Sequence, residues 1–403
     1  MSEQSDPVAP VFHAQWGRLV AGLIGWCGDF DLAEEGAADA FEAAVVAWRR
    51  DGPPERPLAW LTTVARNRVR DRLRRRTTEL AKLAILEATP TDEVAGPDGF
   101  PDERLRLIFT CCHPALPMPA RVALTLRTLC GLTSAEIGRA FLVTGPTMEK
   151  RLVRARAKVR DGRIPYRVPP PQLLPERLNG VLAVLYLMFN EGYAASSGDS
   201  LVRTDITAEA VRLARLLHRL LPDDEVTGLL ALMLLTDARR AARMRDGEVV
   251  RLAEQDRTRW DRAQITEGAT LLAGLDGRPV GAYQAQARIA LEHDSAATPE
   301  ATDWAGVAAL YGLLPATPVT QLNQAVAISM VDGPAAALAH IEPLTDSLSG
   351  YHLYPATRAD FLARLGRVQE AITALDQAIA LAPTGPERRL LVRRRGELRN
   401  GPQ

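Results

Sequence analysis

A chain of 403 residues is too long for one ordinary domain and predicts two or three. Hydrophobic residues at 47% and charged residues at 24% exclude a mostly disordered chain, and aromatics at 5% argue against an all-β protein, whose strands favour aromatic side chains. The 49 basic and 49 acidic residues cancel, which excludes a uniformly basic nucleic-acid coat but leaves room for local patches.

Those patches are visible along the chain. In residues 1–76, acids gather between Asp29 and Glu42 and bases between Arg66 and Arg76. Residues 77–167 carry a net +4 and residues 168–403 a net −4. Four cysteines form no disulfide framework, and no stretch has the pattern of a leader or the roughly 20 apolar residues of a membrane span. The expected setting is therefore cytoplasmic and reduced, and the expected fold class is all-α.

The first helix pair falls in residues 11–76. From Asp31 to Arg49, Ala37, Ala40, Phe41, Ala44, Val45 and Trp48 recur at helical spacing until Gly52-Pro53-Pro54 ends the run. Pro57 opens a second helix, Leu58 to Arg76, with Leu61, Val64, Ala65, Val69 and Leu73 expected in the core. Residues 77–103 lack periodicity and read as a linker rich in acids. Residues 104–163 are helical again. Thr133 and Glu136 have capping-box spacing at the start of a short helix, and Pro146 opens a longer, basic one to about Arg160. Two helices joined by a tight turn, the second basic, predict a helix-turn-helix.

Prolines between Pro165 and Pro175 mark a stiff boundary, after which residues 175–403 read as a helical domain. Helices are expected over Glu176–Glu191, Thr207–Leu221, Val226–Arg245, Arg257–Leu275, Gly281–His293 and Asp303–Leu313. Near residues 320–383 the pairs Ala325/Ala359, Ala337/Ala371 and Ile341/Leu375 each stand 34 apart, the period of a tetratricopeptide helical hairpin.

The chemistry-bearing segments are Trp60-Leu61-Thr62-Thr63-Val64-Ala65-Arg66-Asn67, with the arginines that follow it, and Gly131 to Arg160. In this order, with a linker between them, they resemble the two conserved regions of an extracytoplasmic-function sigma factor. That family supplies the promoter-reading subunit of bacterial RNA polymerase. The resemblance covers about residues 10–163, and the whole chain is similar to a subgroup with a long tetratricopeptide-like extension. It implies binding to the β and β′ subunits of the polymerase core and to promoter DNA at the −35 and −10 elements, and it implies no enzyme activity and no cofactor.

The resemblance also assigns roles to residues. Thr147, Lys150, Arg151, Arg154 and Lys158 would face the −35 element, where phosphate contacts give affinity and arginine–guanine pairs give specificity. Trp60, Arg66, Asn67, Arg70 and Arg74 would hold the melted −10 strand, with Asn67 beside an extruded base. Trp60 reads as a core residue ahead of one that stacks directly on a base. Glu34, Glu35, Asp39 and Phe41 fall where the family docks on polymerase, with Ala38-Asp39 replacing the usual Gln-Glu pair. Glu149 could accept from a cytosine or simply sit at the helix start. Cys111-Cys112-His113 lacks zinc-ligand spacing and reads as buried thiols. The rival reading is a helix-turn-helix transcriptional regulator with a helical-repeat sensor domain, which would need neither the acidic helix nor the arginine helix. A regulatory protein partner for the C-terminal domain is a further expectation.

Overall fold

The computed structural model describes residues 8–81, 103–141, 143–194, 201–245 and 248–400. The expected linker therefore lies almost wholly outside the described residues. The chain divides into two compact units, Met1–Met188 and Phe189–Gln403.

Unit 1 opens with α1 (Ala9–Cys27), α2 (Phe30–Asp51) and α3 (Pro57–Ala81). Asp29 starts α2 by accepting from the backbone N–H groups of Asp31 and Leu32 at 2.9 and 3.0 Å. Gly52, at φ 75°, ends it. The periodic residues Ala37, Ala40, Phe41, Ala44 and Trp48 are buried, opposite Leu61, Ala65 and Val69 of α3 in the same core. At Gly36 a Cβ would crowd the Val69 side chain and stand 3.3 Å from the Ala65 carbonyl oxygen, so glycine permits the close crossing. The expectation that Leu73 is core is corrected: it is 37% exposed. Leu61, Ala65, Val69 and Leu73 step by four on a 3.6-residue helix, so each step drifts about 40° and the last has rotated out of the interface.

The same unit continues with α4 (Glu103–Cys111), α5 (Met118–Cys130), α6 (Ser134–Ala140), α7 (Gly145–Asp161) and the first turns of α8 (Leu174–Ala194). Helix α1 packs directly on α4 and α5. Trp16 Nε1 donates to the Thr128 carbonyl at 3.2 Å, and a Cβ at Gly17 would stand 2.6 Å from the Leu129 carbonyl oxygen. Arg177 of α8 donates to the Phe109 carbonyl at 2.8 Å.

Unit 2 contains α9 (Leu201–Leu220), α10 (Asp224–Ala238), a two-stranded hairpin of β1 (Met244–Arg245) and β2 (Glu248–Val249), α11 (Arg262–Ala273), α12 (Ala282–Ser295) and α13 (Trp304–Gly312). These are followed by α14 (Pro318–Val331), α15 (Pro334–Ile341), α16 (Leu353–Arg364), α17 (Val368–Leu381) and α18 (Gly385–Asn400). Two expected helices are shorter than their periodicity suggests. The helix expected to reach Arg245 stops at Ala238, and the following residues pair as antiparallel strands, Met244 with Val249 and Arg245 with Glu248. The helix expected from Arg257 starts at Arg262, because Asp261 accepts from the N–H groups of Ala263 and Gln264 at 3.0 and 3.1 Å. The 34-residue repeat corresponds to two helical hairpins, α14–α15 and α16–α17. Ala325, Ala337, Ile341, Ala359, Leu362, Ala371, Leu375 and Ala378 are all buried in one cluster, so the small residues lie where the helices approach.

Candidate nucleic-acid and polymerase interface

The helix-turn-helix is built by local chemistry. Glu136 Oε2 accepts from both the N–H and the hydroxyl of Thr133 at 2.7 Å, and Thr133 Oγ1 accepts from the Glu136 N–H at 3.2 Å. This is the reciprocal box its spacing predicts. A Cβ on Gly138 would stand 2.8 Å from the Val143 carbonyl oxygen, so the turn closes on a glycine. Thr144 caps α7 by accepting from the Thr147 N–H at 3.4 Å.

Along α7 one row, Met148, Leu152, Ala155 and Val159, is buried. Lys150, Arg151, Arg154 and Lys158 are exposed, and none has an ion-pair partner among the described residues. Thr147 is also exposed, with its hydroxyl 2.8 Å from that of Thr144. Glu149 is engaged inside the motif, accepting a hydrogen bond from Ser134 Oγ of α6. A row of unpaired cations on a rigid helix is what counterion release from a DNA groove requires.

On α3, Asn67 and Arg70 are exposed, Arg74 lies on the surface, and Trp60 and Arg66 are half-buried. Trp60 packs on Trp48, with ring centroids 5.6 Å apart. Arg66 and Arg70 each stand 5.6 Å over the Trp26 ring. A cleft of about 580 Å³ lies between α1 and the start of α3, lined by Gln15, Arg18, Arg56 and Thr62 among others. A smaller hollow of about 170 Å³ shares Arg18 and Thr62 with it and reaches Arg66. Asn67 lines neither. Sequence reasoning missed Arg18, Arg56 and Trp26, because only the fold brings α1 alongside α3.

Comparison with known proteins gives this geometry its place. Residues 13–79 match sigma-70 region 2 and residues 106–159 match sigma-70 region 4. The chain belongs to the sigma factors of the extracytoplasmic-function type. Residues 177–275 match a family of unknown function, DUF6596, so this sigma factor carries a C-terminal extension. An uncharacterized protein of Rhizobium meliloti (strain 1021) is 43% identical over 384 residues, covering 92% of this chain and 90% of its own. No solved structure matches. The sigma factor directs RNA polymerase to promoters, with polymerase core and promoter DNA as its partners.

The acidic helix of region 2 is divided in the structure. Glu35 is exposed and Asp39 half-buried, and Arg72 of α3 pairs with both, at 3.2 and 2.5 Å. Phe41 is buried against Phe12 and Trp16, with centroids 5.0 and 6.0 Å away. Glu34 is buried too, and its partners come from region 4. Its carboxylate accepts from Arg127 Nε at 2.9 Å and from Arg156 Nη2 at 2.7 Å. Arg156 also reaches Asp31 at 3.0 Å. Two of the four residues aligned with polymerase docking thus face inward here.

Cys111, Cys112 and Cys130 are buried thiols, and burial pushes the Cys112 thiol up to about 12. Among the described residues no group of His, Cys, Asp or Glu could hold a metal ion, and no helix is long and apolar enough to cross a membrane.

Proposed function

We propose that α7 enters the major groove of the −35 element, with Arg151 and Arg154 at base edges and Lys150, Lys158 and Thr147 on phosphates. The observation that carries this reading is the row of unpaired cations opposite the buried apolar row of the same helix. In region 2, Asn67 reads an extruded −10 base. Arg66, Arg70 and Arg74, with Arg18 and Arg56 of the neighbouring cleft, hold the melted strand. Trp60 supports this surface by packing on Trp48. Glu35, exposed, and Asp39, half-buried, form the part of the helix that docks on polymerase, and Glu34 and Phe41 fix its position from below. The chain acts by binding in the cytoplasm and not by catalysis, and its C-terminal domain regulates it, in cis or through a protein partner.

Run-off transcription with purified core polymerase tests the reading. Arg154→Ala should cost about 1–3 kcal/mol on the cognate promoter and relax preference at one −35 position. Asn67→Ala should impair the −10 element alone. Equal losses on all sequences by both variants would mean that these residues touch only phosphates.

A further inference from the structure

Unit 2 contains a cavity that the reading above does not use. It has a volume of about 290 Å³ and lies between α12, α13, α14 and the turns before α11 and α13. Trp304 and Tyr311 contribute aromatic walls, and Val307 and Ala327 contribute buried apolar floor. Arg257, His293, Thr302 and Asn323 contribute the polar groups.

Those polar groups have bonding capacity left over. Arg257 spends Nη1 on the carbonyl oxygens of His293 and Ala296, at 2.9 and 2.6 Å, and lies over the Trp260 ring at 4.6 Å. No carboxylate among the described residues pairs with it within 4.0 Å; the nearby Asp294 instead pairs with Arg239 at 3.2 Å. Thr302 Oγ1 is buried and has no hydrogen-bond partner. The ring of His293 packs edge-on to Trp304 at 5.3 Å and is flanked by Arg239 and Arg257, which together with burial hold it neutral down to about pH 4. The cavity thus combines aromatic walls, a guanidinium with no ion-pair partner within 4.0 Å among the described residues, and neutral hydrogen-bonding groups.

We infer that this cavity binds a small aromatic carboxylate, its ring against Trp304 and Tyr311 and its anionic end at Arg257. The volume suits a ligand of about 10–15 non-hydrogen atoms, at the small end of ligand sites. An aromatic ring gains most against aromatic walls, and a planar guanidinium matches a carboxylate in shape and charge. A cationic ligand would meet Arg257, the one charged side chain of the lining, and is disfavoured.

Titration of the full chain with indole-3-carboxylate and benzoate, followed by calorimetry and tryptophan fluorescence, tests the inference. The expected result is saturable 1:1 binding of at least one probe with a sub-millimolar Kd, and at least tenfold weaker binding of its neutral carboxamide. Val326→Trp, at an exposed position on the rim, should abolish binding without loss of thermal stability. Asn323→Ala, also exposed, should weaken it several-fold. No saturation by either probe up to about 10 mM, or equal binding of acid and amide, would overturn the inference. So would undiminished binding by a folded Val326→Trp variant.

Discussion

Glu34→Gln is expected to loosen region 2 from region 4. Glutamine keeps the shape of the side chain but removes the charge that two guanidiniums share. The Glu34 side chain is 5% exposed and that of Arg156 9%, so water cannot take over the lost contact. Removing one partner of a buried ion pair costs about 3–5 kcal/mol. Asp31 still reaches Arg156 at 3.0 Å and is half exposed, so the lower end applies, about 3 kcal/mol. At 1.4 kcal/mol per tenfold, this shifts the ratio of closed to separated regions by roughly a hundredfold. On the proposed promoter reading separation matters, because elements near −35 and −10 lie about 25 base pairs apart, or about 85 Å at 3.4 Å each, and regions in contact would not cover both. Spin labels at Val46→Cys and Val153→Cys, both exposed positions, in a Cys27→Ser background would report the distance. The variant should show a new, longer population. An unchanged distribution would refute the reasoning, and would do so even if stability fell, since the cluster would then serve the fold alone.

Three further outcomes are expected. Gly138→Val should destabilise the helix-turn-helix by about 1–3 kcal/mol, because its Cβ would meet the Val143 carbonyl oxygen at 2.8 Å, and −35 affinity should fall with it; binding assays beside thermal melts check this. Glu35→Arg with Asp39→Arg should weaken co-elution with polymerase core, and unchanged co-elution would remove α2 from the interface. His293 is held down to about 4 by burial and by Arg239 and Arg257, while burial pushes Asp294 up to about 6 against the pull of Arg239. The depressed His293 loses stability as pH falls from its ordinary 6.5 towards 4, whereas the raised Asp294 loses it as pH rises from 3.8 through 6, so the two offset each other. In urea unfolding, His293→Gln should therefore gain on wild type as pH falls from 6 to 4.5, and Asp294→Asn lose on it, each by at most about 2 kcal/mol over that range.

The parts legible in the sequence are those fixed by local rules. The Thr133–Glu136 box, the proline start of α7, its buried row and the alanines of the 34-residue repeat all depend on neighbours within a few turns or one hairpin. What was not legible depends on partners far along the chain. Arg156 looks like one more cation of the recognition helix, yet it is buried, because Glu34 stands 122 residues earlier. Trp26 looks like the end of an apolar stretch, yet it lies beneath Arg66 and Arg70 once α1 meets α3. The early end of α10 had a local signal that helical periodicity overrode: Asp246-Gly247, a pair favoured in hairpin turns. Those two residues lie outside the described ones, but the strands on either side pair.

The division of the acidic helix separates two events that its sequence runs together. Glu35 and Asp39 are paired within region 2 by Arg72, whose side chain is 32% exposed. Partly exposed pairs of this kind are worth at most about 1 kcal/mol and are screened by salt. If Glu35 and Asp39 meet a cation of the polymerase, as proposed, exchanging Arg72 for it is nearly neutral and docking costs little to begin. Glu34 is different, since its release strands Arg156 away from water unless both sides are rehydrated at once. A buried cluster is screened far less than a surface pair. On the proposed docking, raising salt should thus weaken it without opening the regions, whose parting would have to draw on binding energy from polymerase or DNA. Glu34 and Glu35 carry the same charge; they differ in where each points, Glu34 towards Arg127 and Arg156 of region 4 and Glu35 towards Arg72 of region 2.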